Sequence, residues 1–173
     1  YLTRRALLTS KKTDESINLA LKKIWTKKKF FKVKLVEQEE RYKSFFSTEY
    51  KLNYEIYNFP KPYMSIWKGV VMGGGVGLSI YGNYKIVTDT TKFAMPETAI
   101  GLFPDVGGTF FLPRLPGAMG MYLALTGDML KGRDVLDSGV ATHFVSCPEK
   151  LSELEQELIG LQSSADVAAV LDK

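Results

Sequence analysis

The sequence predicts an α/β fold, and three observations carry that prediction. From about residue 63 onward, short apolar runs with β-branched residues alternate with runs at helical spacing. All 15 glycines fall at or after Gly69, where the turns between such elements need them. With 45% apolar side chains in 173 residues, the chain is large enough to bury one real core and too hydrophobic for a disordered polymer. The first 68 residues, without glycine, read instead as helix plus irregular chain.

Charge divides the chain in the same place. Residues 1–50 hold 13 of the 23 basic and 6 of the 19 acidic side chains, a local net of +7; the remainder carries a net of −3. The opening YLTRRALLTSKKT is basic, rich in Ser and Thr and free of acids, a composition similar to a mitochondrial presequence. A chain that begins at Tyr1 reads as a fragment or a processed product. The overall net of +4 demands no nucleic-acid partner, and the basic third contains no recognisable nucleic-acid module. A membrane span is not expected, because the longest uncharged stretch, Gly69 to Tyr84, contains six glycines. One cysteine, Cys147, excludes an internal disulfide and a multi-cysteine metal site. One histidine, His143, excludes a site built from several imidazoles.

Element by element, Asp14 to Trp25 predicts a short amphipathic helix through Ile17, Leu21 and Ile24, followed by a solvated run at Lys27, Lys28 and Lys29. Leu35 to Asn58 predicts a long helix with Tyr42, Phe45, Phe46, Tyr50 and Tyr57 along it; Pro60 and Pro62 end it. Tyr63 to Trp67 reads as a buried strand. Gly69 to Gly77 reads as a turn feeding a helix to about Tyr81. Asn83 to Val87 is the next strand, Phe93 to Ala99 a loop or short extended piece, and Gly101 to Gly108 a second glycine turn. Helical pieces follow to Leu125, broken by Pro113 and Pro116. Lys131 to Asp137 is a short helix closed by Gly139, Ala141 to Val145 a strand, and Ser152 to Glu155 has the capping-box pattern of a helix start.

The segment GVVMGGGVGLSIYG contains neither the dinucleotide fingerprint nor a Walker A loop. What remains is a strand, three consecutive glycines and a helix start. There, backbone amides can face a ligand at close range, as in an oxyanion hole. The same glycines serve close packing of helix on strand equally well. Glu97, in AMPETAIG, and Asp105, in GLFPDVGG, lie eight residues apart among apolar neighbours. Burial raises a carboxyl pKa and paired acids push theirs apart, which suits acid–base or nucleophilic chemistry. Each acid also suits a capping role.

At these residues the chain resembles the crotonase superfamily, and within it the 3-hydroxyisobutyryl-CoA hydrolases. The resemblance rests on KPYMSIWKGVVMGGGVGLSIYGNYKIVTDTTKFAMPETAIGLFPDVGGTFFLPRLPG and continues through MGMYLALTGDMLKGRDVLDSGVATHFV, about residues 45–147. It implies an incomplete crotonase-like ββα superhelix with a helical N-terminal extension. Residues 1–44 would form the basic segment and residues 45–173 a partial hydrolase core. The implied activity is hydrolysis of an acyl-CoA thioester in valine breakdown, in mitochondria. No cofactor or metal would be required, since CoA is part of the substrate, and the oligomeric habits of crotonases leave self-association open. By the same resemblance, Gly74 would offer an oxyanion-hole amide. Glu97 would attack the thioester or activate water, Asp105 would orient substrate or water, and Glu49, in FFSTEYKLN, would bind substrate.

Two positions separate this pattern from hydratases, which place a second glutamate where this chain has Gly77 and usually a glycine where it has Asp105. The pattern also has an upstream glycine turn supplying a second oxyanion amide; at the expected distance this sequence reads Ile24-Trp25-Thr26-Lys27. That departure keeps a second functional class in view, an inactive crotonase-like fragment or interaction module, with enoyl-CoA hydration as the enzymatic alternative. His143 reads as a structural histidine in an apolar strand. Arg114 and Arg133 suit surface ion pairs as well as CoA phosphates.

Overall fold

The structure, a computed structural model, describes residues 6–8, 39–146, 148–161, 163 and 166–172. The expected helix at Asp14 to Trp25, the lysine run after it and Cys147 lie outside the described residues. So does most of the basic segment expected over 1–44.

Two sheets organise the chain. The first takes strands β1 (Ala6–Leu8), β2 (Tyr63–Trp67), β4 (Tyr84–Thr88) and β7 (His143–Val145), in that spatial order. β2, β4 and β7 are parallel, with Ile66 opposite Ile86 and Val87 opposite Phe144; β1 adds antiparallel, Leu7 facing Met64. β1 corrects the expectation that everything before the long helix is helical or irregular. Its Ala-Leu-Leu run supplies the backbone row that β2 needs on its outer edge. The second sheet pairs β3 (Val70–Met72) with β5 (Lys92–Ala94) in parallel, and β5 with β6 (Leu130–Lys131) antiparallel. β3 falls where a turn was expected and β6 where a helix start was, while β5 overlaps the segment expected to be a loop or a short extended piece.

The helices are α1 (Glu39–Tyr57), α2 (Gly74–Gly77), α3 (Gly108–Phe111), α4 (Met119–Thr126), α5 (Arg133–Asp137), α6 (Pro148–Gly160) and α7 (Val167–Leu171). α1 ends just ahead of Pro60, as its prolines require. α2 is a single turn, shorter than the helix to Tyr81 that the sequence suggests. α6 begins four residues before Ser152, so the capping-box pattern there lies inside a helix. Pro148, pre-set in φ and lacking an N–H, makes the start instead. Gly139, at φ +78°, follows α5 as expected, its amide donating to the Leu136 carbonyl at 2.9 Å.

The main core lies between the two sheets and the helices after β5. Trp67 and Phe93 stack there with centroids 5.7 Å apart, packed with Val71, Val76, Met95, Val106 and Leu123. A second core on the other face of the first sheet joins Met64 and Ile86 to Leu151, Leu158 and Val167. A third, smaller one sets Leu52 and Ile56 of α1 against Tyr63. Ile86 and Val87 are adjacent on β4 and belong to opposite cores, which is the alternation a two-sided strand produces. Among the described residues no helix is long and apolar enough to cross a membrane.

Candidate active site

Two acidic side chains from separate segments reach the glycine turn between β3 and α2. Gly73 has φ +51°, a conformation that disfavours any side chain, and it turns the chain from β3 into α2. The amides of Val76 and Gly77 both donate to the Gly73 carbonyl, at 2.8 and 3.2 Å. The Gly74 and Gly75 amides come ahead of them in the first turn, where a helix offers no internal acceptor.

Glu97 approaches this turn from a 3-10 segment, Pro96–Ile100, which starts on a proline and ends on Gly101 at φ +75°. A β-carbon on Gly73 would sit 3.7 Å from Glu97 Oε1. The glutamate is 7% exposed, and its Oε2 has no hydrogen-bond partner among the described residues. Burial is the main cause raising its pKa; its own backbone amide opposes the rise, and the charge of Asp105 adds to it.

Glu49 comes from α1. The buried stripe of that helix is Glu49, Leu52, Asn53 and Ile56, at the three-and-four spacing of one helical face. Two of these four are polar. A β-carbon on Gly74 would lie 2.6 Å from Glu49 Oε1, so the missing side chain at 74 is what admits the carboxylate. Burial first, and the Asp105 charge second, push the Glu49 carboxyl up to about 7.

Asp105 occupies the second glycine turn. Next to it Val106 is buried at φ +43°, and its carbonyl accepts a 2.6 Å hydrogen bond from the Tyr81 hydroxyl. The Tyr50 hydroxyl approaches Asp105 Oδ2 at 3.5 Å. Burial raises the Asp105 pKa, with Tyr50 and the residue's own amide acting against it. Beside Asp105 opens a cavity of about 510 Å³ between α1 and the 103–110 segment, walled largely by aromatic rings.

Of the sequence-selected positions, Glu97 and Glu49 thus meet the turn at Gly73 and Gly74, and Asp105 lies near enough to both acids for its charge to raise their pKa values. Gly77 is packed shut: a β-carbon there would fall 2.8 Å from both Asn53 Nδ2 and the Val106 β-carbon. His143 stays in β7, with Nδ1 2.8 Å from the Thr142 hydroxyl and Nε2 3.5 Å from Asp172. Arg114 lies over the Phe110 ring, and Arg133 pairs with Asp137 at 3.2 Å. Sequence reasoning missed Asn53, Tyr50 and Tyr81. Asn53 had a signal, since it lies one turn after Glu49 on the same helical face. The phenols had none.

Residues 27–173 match the enoyl-CoA hydratase/isomerase family. The chain is 57% identical over 130 residues to the mitochondrial 3-hydroxyisobutyryl-CoA hydrolase of Xenopus tropicalis, covering 74% of this chain and 34% of that protein. It is 50% identical over 147 residues to the enzyme of the same name from Homo sapiens, covering 81% and 38%. Among solved structures, a carnitinyl-CoA dehydratase from Mycobacterium thermoresistibile superposes with a TM-score of 0.69 at 45% identity, covering 79% of this chain and 38% of that one. The chain therefore spans little more than a third of the length of these relatives, and over that span its sequence and its fold place it in the enoyl-CoA hydratase/isomerase family.

Proposed function

We propose that the chain carries the hydrolytic centre of a mitochondrial 3-hydroxyisobutyryl-CoA hydrolase, which cleaves an acyl-CoA thioester in valine breakdown. One observation carries the reading: two buried carboxylates, Glu97 and Glu49, lie against Gly73 and Gly74, the residues whose turn exposes backbone amides. A thioester carbonyl set on the Gly74 amide would have its developing negative charge stabilised by that donor. Glu97 then has two chemically balanced routes. In one, its carboxylate bonds to the carbonyl carbon, the C–S bond breaks, the CoA thiolate takes a proton, and water hydrolyses the resulting anhydride. In the other, it takes a proton from the water that attacks the same carbon, the C–S bond breaks, and the proton passes to the departing CoA thiolate. A carboxylate made more basic by burial favours either route. Asp105 orients the substrate or the water, and Glu49 binds the substrate beside Gly74. The reaction needs no cofactor, because CoA is part of the substrate.

The packing at Gly77 weighs against the hydratase alternative, since a second glutamate there would collide with Asn53 and Val106. Self-association is part of the same proposal, supported by the exposed apolar side chains of Ile100, Met121 and Leu125; sedimentation velocity checks it.

The test is release of free CoA from 3-hydroxyisobutyryl-CoA by the chain, by Glu97→Gln and by Asp105→Asn. The expected result is turnover by the parent chain and a loss of about a hundredfold or more in Glu97→Gln. Equal rates for all three would leave the inactive, interaction-module reading in its place.

A further inference from the structure

We infer that the Glu49 carboxyl, carrying its proton, donates a hydrogen bond to the thioester oxygen and shares the oxyanion with the Gly74 amide. The inference rests on the thioesterase reading above and gives its substrate-binding acid a chemical task.

A carbonyl oxygen has two lone pairs, and the Gly74 amide would occupy one of them. Glu49 stands beside that amide. Its Oε1 comes within 2.6 Å of the place a Gly74 β-carbon would take, and its carboxyl carbon within 3.8 Å. Gly74 is the first residue of α2. In a helix the N–H groups and the Cα–Cβ bonds both point toward the N-terminus. An oxygen accepting from the Gly74 amide at about 2.9 Å therefore lies next to the β-carbon position that Glu49 Oε1 abuts. The missing side chain makes room for both oxygens at once.

Glu49 is 5% exposed. Among the described residues, the enclosed polar atoms without partners belong to Asn53 and Glu97, and neither Glu49 oxygen is one of them. No hydrogen bond among the described residues ends on its carboxyl either, so a ligand atom can still reach it. The groups that face Glu49 favour the neutral acid. Asp105, from the second glycine turn, brings negative charge, and Tyr50, next to it on α1, is a phenol whose own pKa is raised. Glu97 reaches the adjoining Gly73, and α2 presents glycines and Val76. Burial and the Asp105 charge together hold the proton on Glu49 up to about pH 7.

The two glutamates then take opposite states at one turn, Glu97 ionised and Glu49 neutral, the division of labour that paired acids allow. As water or Glu97 adds to the carbonyl carbon, the C=O electron pair moves onto oxygen and the Glu49 hydrogen bond strengthens. The proton stays on Glu49. When the C=O bond reforms and the C–S bond breaks, the hydrogen bond relaxes. An ionised Glu49 would instead set one negative charge against another.

The experiment follows kcat/KM for CoA release from 3-hydroxyisobutyryl-CoA against pH in the full chain, in Glu49→Gln and in Glu49→Leu. The parent is expected to lose rate as pH rises through about 7. Glu49→Gln, whose amide donates at every pH, should lack that alkaline limb. Below the limb, Glu49→Leu should fall about a hundredfold or more under Glu49→Gln. An alkaline limb that persists in Glu49→Gln overturns the inference, and so do equal rates in the two variants. A second measurement needs no turnover. In the full chain carrying Glu97→Gln, the infrared band of an isotope-labelled thioester carbonyl should shift with pH when Glu49 is present and stay fixed when Glu49→Gln is added. A band that ignores pH with Glu49 in place overturns the inference, as does the absence of any bound band. Failure of the thioesterase reading shows separately, as no CoA release by the parent at any pH while the band still reports whether Glu49 meets the carbonyl.

Discussion

The Tyr81 hydroxyl donates to the Val106 carbonyl at 2.6 Å, and through this bond the turn after α2 holds the loop that carries Asp105. Val106 needs holding. A β-branched residue at φ +43° is strained by about 1–3 kcal/mol and persists only where its surroundings impose it. Burial of the phenol, which pushes its pKa up to about 12, keeps it a neutral donor. Tyr81→Phe is expected to cost about 1–2 kcal/mol in urea unfolding and to lower CoA release, as Asp105 loses its fixed place. Gly107→Ala should be worse, because at φ +79° a β-carbon there would fall on the Tyr81 hydroxyl. An unchanged unfolding midpoint in both variants would show that the loop is held by other contacts.

Glu49 makes stability depend on pH. Its carboxyl is raised from 4.5 to about 7 in the folded chain, so between those values the native state keeps a proton that the unfolded state has released. Stability therefore falls as pH rises through this window and stays lower above it, by at most about 3 kcal/mol. Glu49→Gln removes the ionisation. Relative to the parent it should gain stability as pH rises from 4.5 to 7 and hold a constant advantage beyond. Denaturant midpoints at pH 4.5, 6 and 8 measure the effect; a gap that does not widen with pH would mean Glu49 is not desolvated.

Much of this centre is legible in the sequence because its parts are local. Three consecutive glycines after an apolar run announce a turn with open amides, and an acid between Met95-Pro96 and Ile100-Gly101 announces burial. The second sheet is not legible in the same way. Val70–Met72 is three residues long and bounded by glycines, and it becomes a strand only by pairing with Lys92–Ala94, some twenty residues away. Ser152 misleads because its local pattern is that of a cap, whereas the helix had already started at Pro148. On α1 the aromatic residues dominate the pattern, yet Phe45, Phe46, Tyr50 and Tyr57 are exposed and the buried face is Glu49, Leu52, Asn53 and Ile56. Glutamate and asparagine at core positions were the readable sign of a site on that face, obscured by the bulk of the neighbouring rings.

Gly77 sets a limit on changing the chemistry by substitution. Its place is filled from both sides by the Asn53 carboxamide and Val106. Gly77→Ala should cost about 1–3 kcal/mol through overpacking, read as a lower urea midpoint. Gly77→Glu should cost more and yield no hydration of crotonyl-CoA, followed by absorbance. Hydration in Gly77→Glu would mean that α1 can move aside, and the tight packing between α1 and α2 would no longer explain the choice of reaction.

The acid limb of the pH–rate profile should belong to Glu97 and answer to Asp105. Burial is the larger cause of its raised pKa and the Asp105 charge a further one, so the carboxylate form needed for attack or base action appears at higher pH than in a solvated glutamate. Asp105→Asn removes the second cause and keeps the first. Its residual kcat/KM should therefore show an acid limb displaced to lower pH, while its overall rate falls because the substrate or water is less well oriented. Glu97→Gln should abolish the limb together with about two to four orders of magnitude of rate. Rate against pH for the three chains separates the roles: a limb that stays put in Asp105→Asn places Asp105 too far from Glu97 to act on it electrostatically. A limb that survives in Glu97→Gln assigns the titration to Glu49, the other buried acid beside the glycine turn.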